Sequence, residues 1–192
     1  MKDRIILDLC GGTGAWSKPY SDAGYDVRLV TLPENDVLTY QPPENVHGIL
    51  AAPPCTMFSL ARRTAKLPPD FDGAMAVVRA CFEHVWKARS EGCLKWWCLE
   101  NPVGLLRQFI GKPAMSFRAC DYGDHWTKRT DLWGYFHFPK KAPVQVDKPA
   151  GRVPGGTRDW SFAKRGQGKL TRQQVRAITP PGFADAFFRA NP

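Results

Sequence analysis

Short apolar runs along this chain alternate with stretches whose apolar residues recur every three or four positions. Arg4 to Leu9 (RIILDL), Asp26 to Val30 (DVRLV) and Val46 to Ala52 read as strands, being short, Ile-, Leu- and Val-rich and bounded by turn residues. A short helix is expected from Ser17. Met75, Val78, Cys81, Phe82, Val85 and Trp86 fall at helical spacing and predict an amphipathic helix over residues 72 to 90, its apolar stripe facing the core. Leu94 to Leu99 (LKWWCL) and Leu132 to Phe138 read as further strands. Thr171 with Gln174 resembles a capping box opening a helix that Pro180-Pro181 must end, and Gly182 to Ala190 reads as a last helix. Strands alternating with helices predict an α/β fold with a mostly parallel sheet. A chain of 192 residues suffices for one such core and is short for two.

Between Pro139 and Lys169 this pattern breaks into a Pro- and Gly-rich excursion, dividing the chain into a core (1–138), a short basic segment (139–169) and closing helices (170–192). Charge follows the same division. Residues 139 to 176 hold ten Lys or Arg against Asp147 and Asp159, nearly all of the net charge of +9. A near-neutral body with one basic segment suggests a polyanion partner, the other reading being a solvated basic loop. No apolar run is long enough to span a membrane, and MKDRIILDL is too short and too soon charged for a signal peptide, so cytoplasm is the expectation. The six cysteines lack the spacing of a zinc site, Cys81 with His84 being a lone helical pair, and no metal is expected. Cys10, Cys81, Cys93, Cys98 and Cys120 read as small buried apolar groups.

Two strand ends carry candidate chemistry. DLCGGTGAWS (8–17) follows the first strand, where Gly11, Gly12 and Gly14 let the backbone turn sharply and approach a ligand. The spacing is neither GxGxxG nor a GKS/GKT phosphate loop, which disfavours a dinucleotide oxidoreductase and a P-loop enzyme. GILAAPPCTMFSL (48–60) ends a strand in Pro53 and Pro54 and holds Cys55 at a stiff corner. A buried inert thiol needs no such corner; a nucleophile does.

DLCGGTG, PPC, LENP and KRTDLWGYF, in that order, with LTRQQVRAITPPGFADAFF near the end, resemble the DNA cytosine carbon-5 methyltransferases. The resemblance spans most of the chain outside 139–168, and PPC and ENP at strand ends are its most specific parts. It implies a Rossmann-like S-adenosylmethionine-dependent methyltransferase fold. It also implies methylation of carbon 5 of cytosine in DNA, in a compact bacterial or phage-type member. That carbon is too poor a nucleophile to take a methyl group directly. A thiolate adding to carbon 6 makes the ring an enamine, carbon 5 takes the methyl group, and loss of its proton and of the thiol restores aromaticity.

By this resemblance Cys55 is the nucleophile, Glu100 of LENP hydrogen-bonds the base, and Arg129 steadies that carboxylate, with Lys128 able to share the task. Plainer readings are a buried thiol, a strand-end glutamate cap or ion pair, and a surface cation. His125 and Thr127 stand where the family has a glutamine and another arginine. For S-adenosylmethionine the resemblance assigns Asp8, Gly11, Gly12, Gly14, Trp16, Asp36 (to the adenine amine) and Pro53. Thr31, with Glu34 nearby, stands where the family places the acidic residue that grips the ribose. The basic segment replaces a large recognition domain. Lys128, Arg158, Lys164 and Arg165 would contact phosphates, and Trp160 or Phe162 would stack on or replace a flipped base, unless these aromatics simply anchor the loop. The implied partner is duplex DNA with weak or short sequence specificity, or with a protein supplying it, and the chain is expected to be a monomer. Alternatives are the same chemistry on RNA or a free cytosine nucleotide, or an inactive methyltransferase-like nucleic-acid-binding protein. The family's final asparagine-containing helix has no match here.

Overall fold

Residues 4–60, 62, 67–124, 127–145 and 177–192 are described in a computed structural model. The elements run β1 (Ile5–Leu9), α1 (Lys18–Asp22), β2 (Asp26–Val30), β3 (Val46–Ala51), α2 (Phe71–Ser90), β4 (Trp96–Pro102), α3 (Leu106–Ile110), β5 (Met115–Arg118), a 3-10 turn (Ala119–Tyr122), β6 (Arg129–Tyr135) and α4 (Pro181–Ala190). Six strands make one sheet in the order β2-β1-β3-β4-β6-β5. The first four are mutually parallel, whereas β6 runs antiparallel to both β4 and β5. The sheet is therefore mixed, which corrects the expectation of a mostly parallel one. The cause is the short link from β5 to β6: a parallel return needs a crossover of about a dozen residues or more, usually a helix.

The pleat sorts the core into two layers, because successive side chains point to opposite faces. Leu7, Leu9, Ile49, Ala51, Leu99 and Trp133 meet Val78, Cys81 and Val85 of α2. Ile6, Leu50, Trp96, Cys98 and Leu132 meet Tyr20 of α1 and Phe183 and Phe187 of α4. Helix α2 is capped by Asp70, whose carboxylate accepts from the amide of Gly73 at 2.9 Å. Trp86, which the spacing places in its apolar stripe, is instead 67% exposed.

Two strands depart from their expected bounds, and both departures matter for the site. β4 continues through Glu100 and Asn101 rather than stopping at Leu99. β6 begins at Arg129 and takes in the buried polar residues Thr130 and Asp131, which an apolar-run criterion passes over. The basic segment starts against the 3-10 turn, where the amides of Ala142 and Val144 donate to the carbonyls of Asp121 and Cys120, each at 2.9 Å. Its remainder, with the expected helix at Thr171, lies outside the described residues. No helix among the described residues is long and apolar enough to cross a membrane.

Candidate active site

β1 has β2 on one side and β3 on the other, so the chain's progression across the sheet reverses there. In open α/β sheets that reversal leaves a crevice beyond the carboxyl ends of the strands. The glycine loop leaves β1 at this edge, the Asp36 segment leaves β2, the Pro-Pro-Cys corner leaves β3, and Glu100 lies two residues before the end of β4.

The glycine loop folds tightly over a carboxyl group. A Cβ on Gly11 would lie 2.3 Å from Cγ of Asp8, so only glycine allows this approach. Gly14, at φ +70, returns its amide to the carbonyl of Gly11 at 3.0 Å and adopts a backbone that side chains disfavour. Asp8 itself is wholly buried. Ser17 Oγ donates to its Oδ2 at 2.5 Å, and its Oδ1 has no partner among the described residues. Burial pushes the Asp8 carboxyl from 3.8 up to about 6, against the hydrogen bonds from Ser17.

A carboxyl raised on folding favours the native state while protonated, and that advantage is lost as pH rises from 3.8 through about 6. Asp8→Asn is thus expected to gain about 3 kcal/mol of stability near neutral pH and little near pH 4, while weakening binding of any cationic ligand at Oδ1. Urea unfolding at the two pH values, with cofactor titration, checks both halves.

Trp16 does not face the crevice. It is 2% exposed, with its ring 5.9 Å from Phe183 and 5.4 Å from Phe187, in the layer beneath the loop. Asp36 caps its own turn, Oδ1 accepting from the amide of Leu38 at 3.0 Å. Asp8 lies on β1, paired with β2, and Asp36 follows β2, so both carboxylates belong to one side of the sheet. From α2, His84 Nε2 donates to the carbonyl of Val37 at 3.0 Å and fixes the segment after Asp36. Spacing treats His84 only as half of a Cys81–His84 pair and gives no hint of this role.

The Pro-Pro-Cys corner is fastened on both sides. The amide of Ala52 donates to the carbonyl of Leu9 at 2.9 Å, and the wholly buried Asn101 donates from Nδ2 to the carbonyl of Pro53 at 2.9 Å. The carbonyl of Cys55 accepts from the amide of Phe58 at 3.1 Å, and that of Phe58 accepts from Leu105 at 2.8 Å. Gly104 packs so closely on this turn that a Cβ would stand 2.4 Å from the Phe58 oxygen. Cys55 is partly exposed and in no disulfide, unlike the buried Cys81, Cys98 and Cys120; Cys10 and Cys93 are also partly exposed, not buried as expected. Asn101 is the residue that motif reading passes over; the asparagine of ENP is its only signal.

Glu100 shares a sheet face with Cys98, and burial raises its carboxyl above the usual range, with Lys128 opposing and Asp131 adding to the rise. Lys128 Nζ stands 3.9 Å from its Oε1. Arg129, one residue on, is exposed and by the pleat points to the opposite face. Lys128 therefore occupies the place beside the carboxylate that the resemblance gives to arginine. On Arg129's face, Arg107 of α3 grips the buried Asp131 through Nε at 2.6 Å and Nη2 at 2.5 Å, and Ser116 Oγ donates to it at 2.6 Å. Arg158, Trp160, Lys164 and Arg165 lie outside the described residues.

No protein-family model matches the chain, and no curated protein matches it. The class that the fold defines is an α/β protein with a six-stranded mixed sheet flanked by helices.

Proposed function

We propose that this chain is an S-adenosylmethionine-dependent methyltransferase of Rossmann-like fold that methylates carbon 5 of cytosine in DNA. The observation that carries the reading is convergence. The glycine loop, Asp36, Cys55 and Glu100 come from four successive parallel strands and meet at one sheet edge, across the reversal in strand order.

The residues fit the cofactor. Asp8 Oδ1 is buried and unpartnered beneath the glycine loop, which suits an ammonium group, and Asp36 suits an exocyclic amine. Gly11, Gly12 and Gly14 would take the methionine end, Pro53 would line the pocket, and Trp16 would support the loop from below. When bound, S-adenosylmethionine supplies an electrophilic methyl group. By strand geometry Asp8 and Glu100 stand roughly 12 Å apart, two strands across and two residues along, which leaves room for a methyl donor and a pyrimidine between them.

Cys55, as thiolate, adds to carbon 6 of the ring, and its corner, fastened through Asn101, keeps sulfur and carbon in line. Glu100, biased toward its protonated form by burial, donates to N3 and stabilises the charge that develops on the ring. Lys128 holds the Glu100 carboxyl in place. After methyl transfer a base removes the carbon-5 proton and the thiolate leaves, so Cys55 is regenerated.

The test is transfer of a labelled methyl group, offered in parallel to duplex DNA, single-stranded DNA, RNA and deoxycytidine monophosphate. Label at carbon 5 of cytosine in duplex DNA is the expected result. Label in RNA or the free nucleotide alone moves the substrate class, and no transfer despite measurable binding of cofactor and DNA supports a binding protein. The basic segment favours a polymer over a free nucleotide.

A further inference from the structure

We infer that the outer edge of the sheet, formed by Arg118, Arg129 and Lys141, is a track for the phosphodiester backbone of a nucleic-acid strand. The inference rests on the proposed substrate class and places its backbone on this fold. Arg118 closes β5 and Arg129 opens β6, and the two are directly opposed in the antiparallel ladder, so both side chains leave the same face. Like charges in that position cost stability unless something neutralises them.

Asp131 on that face is consumed by Arg107, and Glu100 is met by Lys128 from the other face. Asp121 is shared: Arg118 Nη2 and Lys141 Nζ each stand 3.2 Å from it. Their side chains stay about half exposed, at 52% and 51%, leaving donors for a ligand. Arg118 and Lys141 thus share one carboxylate, with Arg129 directly opposite Arg118 on the same edge.

A second observation points the same way. Backbone pairing of Ala142 and Val144 with the 3-10 turn starts the basic segment on this edge, so Lys140 and Lys141 continue in sequence into its six further Lys and Arg. Arg118, Arg129 and Lys141 form a run of cations along this edge. A polyanion matches such a run; a single small anion would use one end of it.

Salt dependence of binding tests this without catalysis. The full chain, without methyl donor, is titrated with a labelled cytosine-containing duplex oligonucleotide over a range of potassium chloride. Arg118→Gln with Lys141→Gln is compared with wild type and with Lys87→Gln at the far end of α2, and Arg118→Lys serves as the conservative variant. The double variant is expected to bind roughly tenfold more weakly and to lose about 0.9 from the log–log salt slope for each cation removed. Lys87→Gln and Arg118→Lys should leave the slope unchanged. Slopes equal to wild type in the double variant, or an equal drop in Lys87→Gln, would overturn the inference. So would inorganic phosphate competing as well as the oligonucleotide per phosphate, since the site would then be a simple anion site. Thermal midpoints separate misfolding from lost contacts, and the backbone amide of Arg118, 3.0 Å from Asp121, persists in every variant. A changed slope with no methyl transfer leaves the track standing and removes the enzyme; methyl transfer with an unchanged slope does the reverse.

Discussion

Cys55→Ala is expected to reduce methyl transfer on the order of 10⁵-fold, the scale on which enzymes with a covalent nucleophile lose rate when it is removed. Folding should hardly change. Cys55 is partly exposed, so loss of its sulfur opens no sealed core cavity. Its corner is held by the Leu9 and Pro53 carbonyls and by the Phe58–Leu105 contact, none of which uses the thiol. Initial rates, cofactor affinity and thermal midpoint together make the check. A rate within tenfold of wild type would mean that another group attacks the ring.

Phe183→Ala is expected to cost about 3–5 kcal/mol of folding stability, the range for emptying a large buried aromatic site. Phe183 is fully buried and stacks on Phe117 with centroids 4.1 Å apart; Tyr122 stands at 5.2 Å and Trp16 at 5.9 Å. One ring thus joins β5, the 3-10 turn, α4 and the base of the glycine loop. Truncation should therefore loosen the loop as well as the helix, weakening cofactor binding along with stability. Urea unfolding of Phe183→Ala and Phe183→Leu measures it, with leucine recovering much of the loss. A loss below about 1 kcal/mol for alanine would show that α4 does not hold the loop in this way.

The parts of this fold legible in the sequence are those where local pattern and tertiary packing agree. β2 falls at Asp26–Val30 as its apolar run requires, and β1 and β3 differ from expectation by one residue. Helix α2 starts at Phe71, one residue before the expected position, because Asp70 caps it. β5 leaves little trace: its four residues MSFR bury only Phe117 fully and form no apolar run. β6 is displaced because Asp131 is tolerated in the core only through Arg107 and Ser116, partners that no periodicity can supply. The direction of β6 is likewise a property of the connection, not of the strand.

The candidate site divides similarly. Gly11, Cys55 and Glu100 carry recognisable local chemistry at strand ends, and the fold brings their strands to one edge. Asn101 and His84 act by reaching backbone carbonyls of distant segments, 48 and 47 residues away in sequence, and spacing carries no mark of such contacts. The choice between Lys128 and Arg129 depends on the pleat, which one residue of register reverses. Trp16 is a cofactor residue by resemblance alone, and its packing against α4, far along the chain, has no mark in the local sequence.

The most direct measurement is the intact mass of the protein after incubation with S-adenosylmethionine and a duplex oligonucleotide bearing 5-fluorocytosine. Fluorine at carbon 5 leaves no proton to remove after methyl transfer, so the thioether at carbon 6 cannot break. A stable one-to-one adduct of protein and methylated oligonucleotide is expected, mapped by digestion to Cys55 and lost in Cys55→Ala. A full methyl transfer reaction with no adduct, or an adduct on another cysteine, would contradict it.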